Sequence, residues 1–244
     1  MTVIDVHAHF VPPDVLETLN DRGRDFGIDL VETQPGCHCC RFESGMQIRP
    51  FFDTLMNTGH RLGQMDEQGV DREVLSIWTD IFGYDLPAAK GALWHTALND
   101  SLTRLCDAHA ERFSWLASGA LQDASLAARE LERGMKAGAV GAIIASHIDG
   151  KNLGECALDE YWAACVELGA PVFIHPAQPI APPDGAHGGL QQSGYLSSLC
   201  CRRIFGLEYT AYMTSRSRCL LRLRFAGRPC KWRRWETGSA TKTE

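Results

Sequence analysis

Two short apolar runs that close on histidine constrain this chain more than any other feature. The first ends in Asp5-Val6-His7-Ala8-His9 and the second in Val172-Phe173-Ile174-His175-Pro176. Residues two apart in a strand project to the same face, so His7 and His9 are expected to stand side by side at one strand end. A third imidazole at the end of a later strand would complete a ligand set for one ion, because neutral imidazole suits zinc and three protein ligands leave a position open. Strands that far apart in sequence share one end when the chain is built from parallel βα repeats.

The intervening sequence reads as such repeats. Val3–Val6 is an expected strand, and Pro12-Pro13-Asp14 opens a helix over Val15–Leu19, proline being tolerated in a first helical turn. A Gly- and Cys-containing loop is expected to about residue 50, then a helix over 53–68 stopped by Gly69. A strand over Glu73–Ile77, a helix over Ala88–Arg112, a strand over Phe113–Leu121 and a helix over Ser125–Ala137 follow. Ala142–Ala145, Leu158–Leu168 and Pro171–Ile174 then read as strand, helix and strand. Strands alternating with helices argue for parallel βαβ units. A (β/α)8 barrel takes about 250 residues, and at about 35 residues per unit three further units would carry this chain to roughly 280. The expected fold is therefore α/β, an incomplete TIM-like (β/α)8 barrel of about five βα units with an irregular C-terminal tail. A doubly wound dinucleotide fold lacks its Gly-rich fingerprint after the first strand.

Charge sets the tail apart. The 244 residues are 45% hydrophobic, enough for a sizeable core, and carry a formal net charge of −6. Residues 191–244 nevertheless contain 11 Lys and Arg against 3 Asp and Glu, with Cys200, Cys201, Cys219 and Cys230 among them. This segment has no helical or strand period and reads as foreign to residues 1–190, of the kind a reading-frame shift or a truncated gene model produces. The expected division is a partial barrel over 1–190 and a basic, Cys-rich tail over 191–244. Arg222-Leu-Arg224 and Lys231-Trp-Arg-Arg234 carry charge that attracts nucleic acid, but no binding module accompanies them, and that partner is not expected. No apolar run approaches the roughly 20 residues that span a bilayer. The N-terminus also lacks a signal-peptide pattern, so a cytoplasmic location with reduced thiols is expected. Cys37, His38, Cys39 and Cys40 lack the spaced second ligand pair of a zinc knuckle and read as a thiol-rich loop.

Four stretches occur in a telling order: Ile4-Asp-Val-His-Ala-His9, Gln64-Met-Asp-Glu-Gln-Gly-Val70, Ala145-Ser-His-Ile-Asp149 followed by Asn152-Leu153, and Phe173-Ile-His-Pro176. In these, residues 1–180 resemble the amidohydrolase superfamily, specifically its decarboxylase branch, which includes aminocarboxymuconate-semialdehyde decarboxylase and γ-resorcylate decarboxylase. The resemblance implies a divalent ion, usually zinc, held here by His7, His9 and His175 and in the family also by an eighth-strand aspartate. Residues 191–244 contain no Asp. The family's sixth-strand histidine lies in a His-Gly-Gly-Gly stretch, which Ala186-His187-Gly188-Gly189 resembles. His187 follows His175 by only 12 positions, too few for a helix and a return strand, so a loop is favoured over a catalytic base.

Arg49 falls near where relatives place an arginine that holds a substrate carboxylate, a task suited to its planar fork, with a solvated surface position as the alternative. His147, at the end of the fourth strand on the barrel's active face, is a candidate to line the pocket, with a packing or capping role as the equal alternative. Trp78 and Asp80 share that positional argument, Phe82 and Tyr84 are expected to cover the barrel mouth or a partner surface, and Asp5 is expected to bond to the backbone, with orienting a ligand as the alternative. The implied activity is a metal-dependent carboxy-lyase acting on a small aromatic or unsaturated carboxylate. In it the ion gives Lewis-acid stabilisation, a histidine helps protonate or hydrate carbon, and carbon dioxide leaves. A metal-dependent hydrolase of a lactone or amide is the alternative, and an inactive fragment keeping half a site is a third reading, since fold alone does not choose among them. Relatives suggest a homodimer. With the aspartate missing, this polypeptide is expected to bind zinc weakly and turn over little substrate.

Overall fold

The computed structural model describes residues 2–175 and two short strands, Tyr212–Thr214 and Arg218–Leu220. In chain order the elements are β1 (Ile4–Phe10), α1 (Asp14–Phe26), β2 (Ile28–Gln34), β3 (Cys37–Phe42), α2 (Asp53–Met56), α3 (Thr58–Gln68) and β4 (Arg72–Ile77). A 3-10 turn (Thr79–Ile81), α4 (Ala88–Ala108), β5 (Phe113–Trp115), α5 (Ala124–Lys136) and β6 (Ala142–Ala145) follow. β7 (His147–Ile148), β8 (Lys151–Asn152), α6 (Asp159–Glu167) and β9 (Val172–His175) complete this stretch. By compactness Met1–Ile144 with Ala157–His175 forms one unit, and Ala145–Cys156 with Pro176–Glu244 a second.

In the first unit β1, β4 and β5 form a parallel sheet in that order. A parallel bridge between Ala117 and Ala142 carries it to β6, which pairs with β9. α1 packs on α4, α4 on α5 and α5 on α6. Strands thus follow one another in space as they do in sequence, with helices alongside, which is the pattern of successive βα units. The fold is α/β with parallel strands, as the periodicity indicates. The barrel's later units and the boundary at residue 190 lie outside the described residues.

Local chemistry explains the elements. α1 ends at Gly27, whose φ of 75° is the left-handed conformation that caps helices. On α4, Trp94, Leu98 and Leu102 recur every four residues and are fully buried, and the Trp94 indole N–H donates to the Ile81 carbonyl at 2.7 Å. Gly141 stands where a Cβ would lie 2.5 Å from the Pro171 carbonyl oxygen, so only glycine lets the β6 and β9 backbones approach.

Several boundaries depart from the sequence reading. The expected loop before residue 50 is in part a hairpin: β2 and β3 pair antiparallel around Pro35-Gly36, with Gly36 at φ 75°. Cys39 and Cys40 are fully buried on β3, so the cysteine cluster is strand and not loop. The helix expected over 53–68 breaks at Asn57, whose extended backbone and side-chain oxygen cap α3 through the His60 N–H at 2.9 Å. β1 extends to Phe10, so His7 and His9 lie within the strand. α1 runs on to Phe26 and α4 stops at Ala108. β5 stops at Trp115 rather than continuing to Leu121; the Ser118 N–H turns instead to the Asn99 side chain at 3.0 Å. Among the described residues, no helix is long and apolar enough to cross a membrane.

Candidate metal centre

β1 pairs with β4 in two registers. Asp5 faces Glu73, but Ala8 faces Leu75, so between them β1 carries one residue more than its partner. That is a β-bulge, and Val6 and His7 are both exposed on it. Beyond the bulge Ala8 and Phe10 turn into the core, and His9, opposite Ser76, faces the other way.

The structure brings His7, His9 and His175 together. His7 Nε2 lies 3.2 Å from His9 Nε2, and His9 Nε2 lies 2.9 Å from His175 Nε2 on β9. One donor atom from each of the three falls within 4.8 Å of the others. Two nitrogens about 2.1 Å from a shared ion stand about 3.0–3.4 Å apart at angles of about 90–109°, so the two short separations suit one cation. Burial holds the His9 imidazole at about 3, with His175, His7 and Arg61 acting in the same sense and the Ile77 carbonyl opposing them. Burial lowers His7 as well, against the Asp5 carboxylate. Both rings are neutral near pH 7. An ion at the shared point needs a lone pair on each Nε2, which the Nδ1–H tautomer of a neutral imidazole supplies.

A second set of side chains fixes His9. The hydroxyl of Ser76, 2% exposed, is 3.1 Å from His9 Nδ1, leaving Nε2 for the shared point. Arg61 Nη1 donates to the His9 carbonyl at 3.0 Å, its Nε donates to Glu73 at 2.5 Å, and its guanidinium lies 5.4 Å over the Phe10 ring. Even so, the Glu73 carboxyl sits above its ordinary value, because burial outweighs the Arg61 bond and charge. Sequence reasoning missed these three residues. The available signal was Glu73, which shares strand parity with buried Leu75 and Ile77 and therefore needs a buried cation.

Arg49 Nε donates to Asp80 at 3.1 Å, and its guanidinium lies 4.7 Å from the Trp78 ring centroid and 5.8 Å from that of Phe52. Trp78 follows Ile77, which faces Phe10 on β1, so this cluster stands at the same strand ends as His9. Phe82 and Tyr84 do not form a surface: they are 3% and 9% exposed and pack against His95 at 5.8 and 5.9 Å. The Gln64–Val70 stretch is structural, with Met65 buried, Asp66 paired to Arg112 at 2.8 Å, and Gly69 at φ 67° ending α3.

In the second unit His147 on β7 faces Asn152 on β8 across the two-residue turn Asp149-Gly150, whose φ values of 44° and 74° fit a tight hairpin. Burial lowers the His147 imidazole, and Ser146 Oγ is 3.4 Å from its Nδ1. His187 lies outside the described residues.

The amidohydrolase family model matches residues 4–205. The chain belongs to the amidohydrolase family. This amidohydrolase is 28% identical over 174 residues to the 2-amino-3-carboxymuconate-6-semialdehyde decarboxylase of Dictyostelium discoideum, covering 71% of this chain and 48% of the relative. Among solved structures, 5-carboxyvanillate decarboxylase from Sphingomonas paucimobilis superposes with a TM-score of 0.63 at 22% identity, over 84% of this chain and 62% of that one. The corresponding enzyme of Novosphingobium aromaticivorans, solved with bound manganese and 3-methoxy-4-hydroxy-5-nitrobenzoic acid, gives 0.61 at 22% identity, over 83% and 60%. The chain spans about half the length of the curated relatives it matches.

Proposed function

We propose that this amidohydrolase holds one divalent cation through His7, His9 and His175 and serves as a metal-dependent carboxy-lyase for a small aromatic or unsaturated carboxylate. The observation that carries the reading is the convergence of three imidazole nitrogens from β1 and β9. Zinc suits three neutral imidazoles, while the manganese held by the Novosphingobium relative favours keeping the identity at a divalent metal. When bound, the ion supplies Lewis-acid stabilisation of negative charge that develops on the substrate.

The chain's own residues do the rest. Arg49 is the proposed carboxylate clamp: stacked on Trp78 and held at Nε by Asp80, it keeps its remaining N–H donors for a ligand. His147 is proposed to line the pocket, with a packing or capping role as its alternative, and His187 to lie in a loop, with proton handling as its alternative. Residues 191–244 are proposed to be a basic tail apart from the barrel, foreign to the family beyond residue 205, where the family match ends. A homodimer and a cytoplasmic setting belong to the same reading. An inactive centre is the second reading.

The test is product analysis with Zn2+- or Mn2+-loaded protein and a panel of hydroxybenzoates and unsaturated dicarboxylates. Slow carbon dioxide release that His175→Ala abolishes is expected, with Arg49→Ala raising KM about 10- to 100-fold, as loss of a charged hydrogen-bond pair does. Lactone or amide hydrolysis without carbon dioxide would establish the hydrolase, and stoichiometric metal without turnover would establish the inactive centre.

A further inference from the structure

We infer that Asp5 is a positioning residue for His7, acting as a clip across the β1 bulge; this rests on the metal-centre reading above. His9 is aimed by a paired strand position, by Ser76 at its ring and by Arg61 at its carbonyl. His7 sits in the bulge, where the register with β4 slips and its residue is exposed. Its N–H is met by Asp5 Oδ1 at 2.9 Å, two residues back along the chain. Such a short Asp-to-backbone bond closes a turn of its own and fixes the dihedrals of the residues it spans. The Cα–Cβ direction of His7 follows from those dihedrals, and with it the approach of His7 Nε2 to His9 Nε2 at 3.2 Å.

The bulge needs an acceptor at position 5 and not a charge. Asp5 faces Glu73 across the strands, a like-charge placement that Asp5 makes worse by raising the Glu73 carboxyl further. A neutral amide oxygen in place of the carboxylate keeps the bond and removes the repulsion. Asn at this site should therefore behave as Asp does, and Ala should not.

Two readouts test this on the full chain: hydrogen exchange at the His7 amide without metal, and Co2+ affinity by titration of its visible absorption. Asp5→Ala should speed His7 exchange at least about tenfold and weaken Co2+ binding about 10- to 100-fold, the usual loss when a ligand's support is removed. Asp5→Asn should stay within about threefold of the native chain on both. If Asp5→Ala does not fold, Asp5→Ser, another short acceptor, is compared with Asp5→Asn and should also hold the amide. Native-like exchange in Asp5→Ala, or an Asn variant as impaired as the Ala variant, would overturn the inference. Protected His7 exchange in a native chain that takes up no Co2+ would overturn the metal reading and leave the clip standing.

Discussion

Replacing Arg61 by alanine is expected to destabilise the fold by about 3–5 kcal/mol, the cost of leaving a buried partner charge without its counter-ion. The Arg61 and Glu73 side chains are 13% and 9% exposed, so water cannot take the place of the guanidinium. The Glu73 carboxyl already sits above its ordinary value with Arg61 in place. In the folded chain it therefore binds a proton more tightly than in the unfolded chain, and stability falls as pH rises from the unfolded value toward the folded one. Removing Arg61 raises the folded value further. The loss should thus be small at low pH, where the carboxyl is protonated in both states, and should grow toward pH 7. Urea denaturation of the native and Arg61→Ala chains across that range measures it. Adding Glu73→Gln to Arg61→Ala should recover most of the loss and flatten its pH dependence. A pH-independent loss below 1 kcal/mol would contradict the account of this pair.

His9→Ala is expected to lower affinity for a divalent ion by about a hundred- to thousandfold. A four-ligand zinc site binds with about 10–16 kcal/mol, which apportions roughly 2.5–4 kcal/mol to each ligand. His9 stands between the other two, within 3.2 Å of His7 and 2.9 Å of His175, so its loss leaves only the two outer nitrogens to hold the ion. His60 provides the control. It is exposed, pairs with Asp53 at 2.9 Å and caps α3 through its backbone, so His60→Ala should leave the affinity unchanged. Competition against a chelating dye reads both values.

The features legible in the sequence were those written in local periodicity. β4, α5, α6 and β6 lie within a residue or two of their expected places because apolar spacing and Gly stops determine them. The meeting of His7, His9 and His175 was legible for the same reason: each closes an apolar run, and parallel βα order brings such runs to one end. What was not legible depends on partners far along the chain. The β2–β3 hairpin is marked by Pro35-Gly36, but Cys37–Phe42 lacks the β-branched residues that announce a strand. The β1 bulge exists only relative to β4 and cannot be read from one strand alone. β5 ends early because Asn99, on α4, takes the Ser118 N–H. Arg61 reaches the His9 carbonyl from 52 positions away, a contact that no spacing rule contains.

The account turns on a single cation held by three imidazoles, and X-ray absorption at the zinc edge of the chain loaded with one equivalent of Zn2+ measures that directly. Three imidazole nitrogens at about 2.0–2.1 Å are predicted, falling to two in His175→Ala. A spectrum without imidazole scattering, or one that His7→Ala, His9→Ala and His175→Ala all leave unchanged, would contradict it.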